Sequence, residues 1–230
     1  MKIVIANLYY DLLNLYGDSG NIKAIKKALE SQKIKVEIIN LSINDELDFE
    51  KYDFVYIGSG TEYNQTLVLN HIINYKDKIT KYIENNKFFL VTGNSIELFG
   101  KYIINSNKIK CLNIFNYNST KQEKRIVKET LTNFEFIKKQ VIGFENHECI
   151  TQNNKYNPMF KNDNIKEGIN YKNFYATYLL GPLLIRNPEL LKFFIVKLVL
   201  QKDKNFKFKK FDFKIEEKAY NNYVECIIKK

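Results

Sequence analysis

Two short turns carry the residue types in this chain that bear on chemistry. Gly58-Ser59-Gly60 follows an apolar run, and a glycine pair there lets backbone N–H groups approach an anion or a developing oxyanion with no side chain in the way. Thr92-Gly93-Asn94-Ser95 follows a second apolar run, Phe88 to Val91, and reads as strand, tight turn and helix. That is the geometry of a nucleophile elbow, in which a strained turn holds one side chain above a sheet beside a helix N-terminus. Gly93 at the apex accepts the backbone conformation but brings no nucleophile. Thr177-Tyr178-Leu179-Leu180-Gly181-Pro182 has the same character, a strand running into a glycine turn. A dinucleotide site is not indicated, because no third glycine follows Gly58 and Gly60 at the fingerprint spacing.

Thr92 or Ser95 as a replacement nucleophile requires a base, and the chain has two histidines, His71 and His147. His71 falls inside an amphipathic helical pattern, where packing is the expected role. Ser95 is expected to be the N-cap of the helix after the elbow, with Leu98 and Phe99 as its first core residues. His147 lies in Gly143-Phe144-Glu145-Asn146-His147-Glu148-Cys149, which invites a Cys–His or metal reading. One His and one Cys two residues apart do not close a metal site, so a structural turn with satisfied side chains is expected there. Cys111, Cys149 and Cys226 have no short metal-ligand spacing, and three cysteines cannot form a closed disulfide framework. Reduced thiols in the cytoplasm follow, and no metal or cofactor is expected.

The elements that position these turns come from periodicity. Ile3 to Ala6, Lys35 to Ile39, Phe54 to Ile57 and Phe88 to Val91 read as strands. They alternate with helical patterns over about residues 21–31 and 65–84. Such alternation implies parallel crossovers and an α/β sheet whose ligand site lies beyond the carboxyl ends of the strands. The turns after Ala6, Ile57 and Val91 are therefore the ones to watch. Past about Tyr117 the pattern weakens, although Gln140 to Phe144 and Phe174 to Leu180 read as strands. Asn187-Pro188-Glu189 opens a final helix, with Asn187 as N-cap and Pro188 at the first helical position.

Composition sets outer bounds. The 230 residues, 45% hydrophobic and 27% charged, suit one α/β domain over residues 1–230 with a sizeable core. The net charge of +10 is spread along the chain, which argues for a solvated basic surface rather than a nucleic-acid site. In the densest run, Lys202 to Lys210, lysines alternate with Phe206 and Phe208 as on a half-buried edge strand. Met1 to Ala6 reads as a first buried strand rather than a signal peptide. No segment reaches the roughly 20 apolar residues of a membrane span, since Lys197 interrupts Phe193 to Leu200.

With these residues in hand, the chain resembles class I glutamine amidotransferases of the cobyric acid synthase type, in particular glutaminase subunits of lipid II isoglutaminyl synthase. The resemblance rests on matches in order: Asp11-Leu12-Leu13-Asn14-Leu15-Tyr16-Gly17-Asp18-Ser19-Gly20-Asn21, Ile57-Gly58-Ser59-Gly60, Leu98-Phe99-Gly100-Lys101-Tyr102, Gly143-Phe144-Glu145-Asn146-His147 and Ala176-Thr177-Tyr178-Leu179-Leu180-Gly181-Pro182. It implies a flavodoxin-like three-layer α/β sandwich around a mostly parallel central sheet. It also implies a cysteine nucleophile where this chain has Gly93, and a catalytic histidine where it has Leu180. The family elbow, roughly Cys-Gly-Gly-Tyr-Gln, matches Gly93-Asn94-Ser95-Ile96-Glu97 without a gap. Gly58, Ser59, Gly60 and Asn94 then fall at oxyanion or substrate positions, and Arg125 where the family has an arginine that holds glutamine, although Lys128-Glu129 replaces a Gly-Asn pair there. A Mur-ligase-like synthetase is the implied partner, and glutamine or another small amide the implied ligand. The leading expectation is a glutaminase-like subunit without catalysis. Its alternatives are hydrolysis through recruited residues, Cys149 or Ser95 with His147 as base, and a basic module for nucleic acid or an anionic surface.

Overall fold

The computed structural model describes residues 1–152, 155–162 and 166–228. Strand and helix alternate through β1 (Lys2–Leu8), α1 (Ser19–Ser31), β2 (Lys35–Leu41), β3 (Phe54–Ile57), α2 (Glu62–Ile72), α3 (Lys76–Glu84) and β4 (Phe88–Thr92). Two short strands, β5 (Tyr102–Ile104) and β6 (Lys108–Lys110), lead into a long hairpin of β7 (Asn118–Thr132) and β8 (Val141–Gln152). Five brief strands follow: β9 (Phe160–Lys161), β10 (Lys166–Glu167), β11 (Ile169–Tyr171), β12 (Phe174–Thr177) and β13 (Leu179–Leu180). The chain closes with α4 (Leu183–Arg186), α5 (Pro188–Lys202) and α6 (Lys214–Ile228).

The central sheet has the order β11-β12-β4-β3-β1-β2 and is parallel except at the β11–β12 edge. Its inner strands are continuous apolar runs because both faces are covered. Val55, Ile57, Phe89 and Val91 face a cluster built with Val68, Ile72 and Ile79 of α2 and α3. The alternate residues Phe54, Tyr56, Phe88 and Leu90 face Ile22, Ile25, Phe194 and Ile195 of α1 and α5. Two helical layers sandwich one sheet, as expected.

A second sheet, β13-β8-β7-β5-β6, stands beside the first, and its hairpin explains why periodicity fades past Tyr117. β7, NSTKQEKRIVKETLT, is largely exposed and polar, so nothing apolar marks its alternation. Its pairing with β8 slips between Lys121 and Ile126, and this irregularity places Arg125 next to the slip.

Several expected elements differ in detail. The helix expected over residues 65–84 is two helices broken by a 3₁₀ turn at Ile73–Tyr75, where the Asn74 side chain donates to the Asn70 and His71 carbonyls. The buried face of the first of them is Gln65, Val68, Leu69 and Ile72. The strand expected from Phe174 to Leu180 divides between the two sheets. Glu167 accepts from the Tyr178 N–H and Thr177 Oγ1 from the Leu179 N–H, so the ladder cannot run on. The run from Lys202 to Lys210 pairs with neither sheet: Phe206 and Phe208 pack half-buried on the α1/α5 layer with Lys207, Lys209 and Lys210 exposed. The alternation is real, but the ladder is absent. Asn187 precedes α5 without capping it, because its side chain is bound to Ile142 and Leu183 instead.

Candidate functional site

The carboxyl ends of β1, β3 and β4 bring three turns together, and a buried aspartate fastens them. Asp18 Oδ2 accepts from the Ser59 N–H at 2.6 Å and from Thr92 Oγ1 at 3.1 Å. Tyr56 OH is 2.8 Å from Thr92 Oγ1 and accepts from Asn21 Nδ2 at 2.8 Å, while Asn21 Oδ1 accepts from the Leu184 N–H. The Gly17-Asp18-Ser19-Gly20-Asn21 segment is thus the bolt that sets the Gly58-Ser59-Gly60 turn against the end of β4. Its remaining carboxylate oxygen, Oδ1, is buried with no hydrogen-bond partner. Burial raises the Asp18 pKa to about 7 against the pull of Ser59, Thr92 and Tyr56.

At the elbow, Gly93 has φ +65°, a left-handed conformation that favours glycine. A Cβ built there would overlap Ser59 Cβ and Oγ and lie 2.7 Å from Leu180 Cδ2. The space above the apex is therefore taken by two side chains that belong to the expected site. Ser59 is also tied in place: its Oγ donates to Asn94 Oδ1 at 3.2 Å, the Gly60 N–H donates to the same oxygen at 3.2 Å, and Asn94 Nδ2 donates back to the Gly60 carbonyl at 2.9 Å. The Gly60 amide, an expected oxyanion donor, is directed at a protein oxygen. Gly58 is packed against the Leu13 carbonyl and Asp18, with no room for a side chain.

Ser95 is not the expected helix cap. It lies inside a 3₁₀ turn over Gly93–Phe99, fully buried, and its Oγ donates to the Gly58 carbonyl at 2.5 Å. Thr92 precedes that turn, also without a side-chain cap.

Behind the elbow is a cavity of about 260 Å³ bordered by Glu62, Gln65, Asn94, Glu97, Lys121, Glu148 and Cys149. Gln65 spans its floor, donating to the Asn94 carbonyl at 2.7 Å and to Glu97 Oε2 at 3.1 Å. Glu97 is 3% exposed, and burial raises its pKa to about 7 despite hydrogen bonds from Gln65, Cys149 and Tyr178. Arg125 closes the rim: Nε donates to Asn146 Oδ1 at 2.6 Å, NH1 to Glu148 at 3.1 Å, and the guanidinium meets Glu62 Oε1 at 3.2 Å. Five of the expected residues, Gly58, Ser59, Gly60, Asn94 and Arg125, are thus gathered around one elbow and its cavity. Glu97, Gln65 and Asp18 complete it. A carboxylate in an otherwise apolar run was the available signal for Glu97, and none marked Gln65.

His147 is in strand β8, not in a turn, and is satisfied there. Its Nδ1 is 2.6 Å from the Cys149 carbonyl, its Nε2 is 3.1 Å from Glu145 Oε2, and its ring stacks on Tyr178 with centroids 4.0 Å apart. Both ring nitrogens face oxygen acceptors, so neither is aimed at the Cys149 thiol. Burial and the neighbouring Glu97 push that thiol up to about 12, which leaves it protonated at neutral pH. Burial works to raise the Glu145 pKa, but His147 and Lys128 outweigh it and hold the carboxyl below its usual range. His71 meets Tyr9 OH through Nδ1 at 2.9 Å, a packing contact between α2 and the turn after β1. Among the described residues, no three His, Cys, Asp or Glu side chains are grouped to hold a metal ion, and no helix is long and apolar enough to cross a membrane.

Comparison with known proteins bears on the fold and the family. Residues 4–188 match the model of the CobB/CobQ-like glutamine amidotransferase domain. The GatD subunit of lipid II isoglutaminyl synthase (glutamine-hydrolyzing) from Streptococcus pneumoniae is 29% identical over 201 residues, 82% of this chain and 77% of that protein. Its Staphylococcus aureus counterpart is 26% identical over 227 residues, 95% of this chain and 93% of that protein. Among solved structures, a glutamine amidotransferase covers 84% of this chain and 98% of its own at a TM-score of 0.57 and 14% identity. Another, from Thermotoga maritima, covers 97% and 92% at a TM-score of 0.57 and 10% identity, so these two matches speak for the fold alone.

Proposed function

The chain belongs to the CobB/CobQ-like glutamine amidotransferase family, and from that premise we propose that it is a glutaminase-type subunit that keeps the family's binding architecture and lacks its catalysis. It serves peptidoglycan amidation as a binding or regulatory partner of a Mur-ligase-like synthetase; its relatives are named as subunits of lipid II isoglutaminyl synthase. The observation that carries this reading is the filled elbow. Gly93 keeps the strained turn, while Ser59 and Leu180 occupy the place where a nucleophile and its base would stand. Loss of both members of such a unit removes most of the acceleration, because their contributions are not additive. Cys149 and Ser95 do not replace them: one is a buried thiol whose histidine neighbour is turned away, the other is bound to Gly58.

Ligand binding is a separate question from catalysis. The cavity behind the elbow offers Glu97, Gln65 and the Arg125 rim, a set suited to a small polar molecule with amide or ammonium donors, glutamine included. Around its mouth Leu15, Tyr16, Tyr63 and Val127 are exposed, an apolar margin suited to a protein partner.

The test is glutamine hydrolysis by the purified chain, alone and with the Mur-ligase-like protein of the same genome. A variant carrying Ser59→Gly, Gly93→Cys and Leu180→His is assayed beside it, because a cysteine needs the room that Ser59 now fills. A silent parent and an active variant are expected. Turnover by the parent above a no-protein control overturns the reading.

A further inference from the structure

One face away from the elbow carries a group of lysines without acidic partners among the described residues. Three segments meet at the end of the sheet where the parallel strands begin: α1, the α1–β2 turn, and the stretch 203–213 between α5 and α6. The Lys209 N–H donates to Gln32 Oε1 at 2.7 Å and so joins the last stretch to the α1–β2 turn, while Lys202 Nζ at the end of α5 donates to the Lys2 carbonyl of β1 at 2.8 Å and Lys27 of α1 pairs with Glu216 of α6 at 3.1 Å. On this face Lys33, Lys35, Lys204, Lys207, Lys209 and Lys210 are exposed, and none of them has a carboxylate partner among the described residues. Partial desolvation and the Lys33 ammonium hold Lys209 below the usual lysine range, which shows the two cations crowding each other. Like charges left unpaired and adjacent weaken a fold unless an anion meets them.

Apolar groups are interleaved with these lysines. Phe206, Phe208, Phe211 and Phe213 form a ladder of ring contacts with centroids 4.9 to 5.9 Å apart, each ring half-buried. We propose that this face docks on an anionic lipid bilayer, its lysines against the phosphates and the outer edges of the Phe206 and Phe208 rings at the boundary of the acyl region. A nucleic acid fits less well. The chain has two arginines, and they are engaged elsewhere, Arg125 at the cavity rim and Arg186 over the Tyr223 ring. Ammonium groups are point charges suited to a diffuse anionic surface. β1 spans seven residues, about 20 Å of strand, so the docked face leaves the elbow at the far end open. The inference does not depend on whether the elbow is silent.

The experiment is co-sedimentation of the full chain with phosphatidylcholine vesicles, with and without about one-third phosphatidylglycerol, at roughly 0.15 M salt. Binding to the anionic vesicles and not the neutral ones is expected. Lys207→Glu, Lys209→Glu and Lys210→Glu together should weaken it about tenfold or more without changing the circular dichroism spectrum. A control of equal charge, Lys108→Glu, Lys110→Glu and Lys124→Glu on the second sheet, should leave it unchanged. The proposal fails on any of three results: no binding to anionic vesicles, a loss in the control as large as in the patch variant, or equal affinity for a DNA duplex.

Discussion

At Gly93 two constraints coincide, a left-handed backbone and a filled space above it. A methyl group there costs about 1 kcal/mol for the conformation and about 1–3 kcal/mol more for the overlap with Ser59 and Leu180. Gly93→Ala is therefore expected to destabilise the chain by about 2–4 kcal/mol in urea unfolding, and Ser59→Gly in the same chain should return part of that. If the two substitutions add without coupling, Ser59 is not the obstacle. Asp18 gives a pH prediction. Its pKa rises from 3.8 unfolded to about 7 folded, so between those values the folded chain holds a proton that the unfolded chain has released. Stability is then fullest below about pH 4 and falls as pH rises toward 7, by an amount on the order of 3 kcal/mol. Urea melts at pH 5 and pH 8 should differ in the parent. In Asp18→Asn the difference should shrink by Asp18's share, while the part owed to buried Glu97 and Glu167, raised to about 7 and about 8, stays.

Elements are joined here by side chains that replace backbone ladders. Asn187, 2% exposed, ties the start of α5 to β8 by accepting from the Ile142 N–H and donating to the Ile142 and Leu183 carbonyls, each at 2.8 Å. Asn187→Ala leaves those buried backbone groups unpaired and should cost about 2–4 kcal/mol. Hydrogen exchange that rises at Ile142 more than at β4 would place the damage at this junction. The residue was legible in sequence only as a helix cap, because Asn before Pro signals a start but not what its side chain will meet. The break after Thr177 was hidden for a similar reason: Glu167 arrives from a separate strand to take the Tyr178 amide.

For the molecule as a whole, the two ends of the central sheet carry different surfaces. The elbow end is ringed by exposed Tyr63 (73%) and Val127 (57%), and the opposite end is basic. Tyr63→Ser with Val127→Ser should weaken capture of the synthetase partner about tenfold while leaving the melting temperature within a few degrees, since exposed substitutions change stability little. A fall in melting temperature matching the loss of binding would instead mean that these side chains hold the fold.

The sequence by itself determined the parallel core, because strands buried on both faces must be continuous apolar runs, and it placed the elbow, because an apolar strand ending in Thr92-Gly93 meets a glycine free to take the left-handed turn. The family resemblance, rather than any spacing, singled out Gly93 and Leu180 as positions where a nucleophile and a base are expected and absent. Only the tertiary structure decided that Ser59 fills the space above Gly93, that Asp18 bolts three turns together, and that His147 is turned away from Cys149. Each of those depends on atoms more than thirty residues apart, or on a strand register, meeting within a few ångströms. Local spacing has no access to such distances, since which side chain fills a gap is fixed by how the sheets pack.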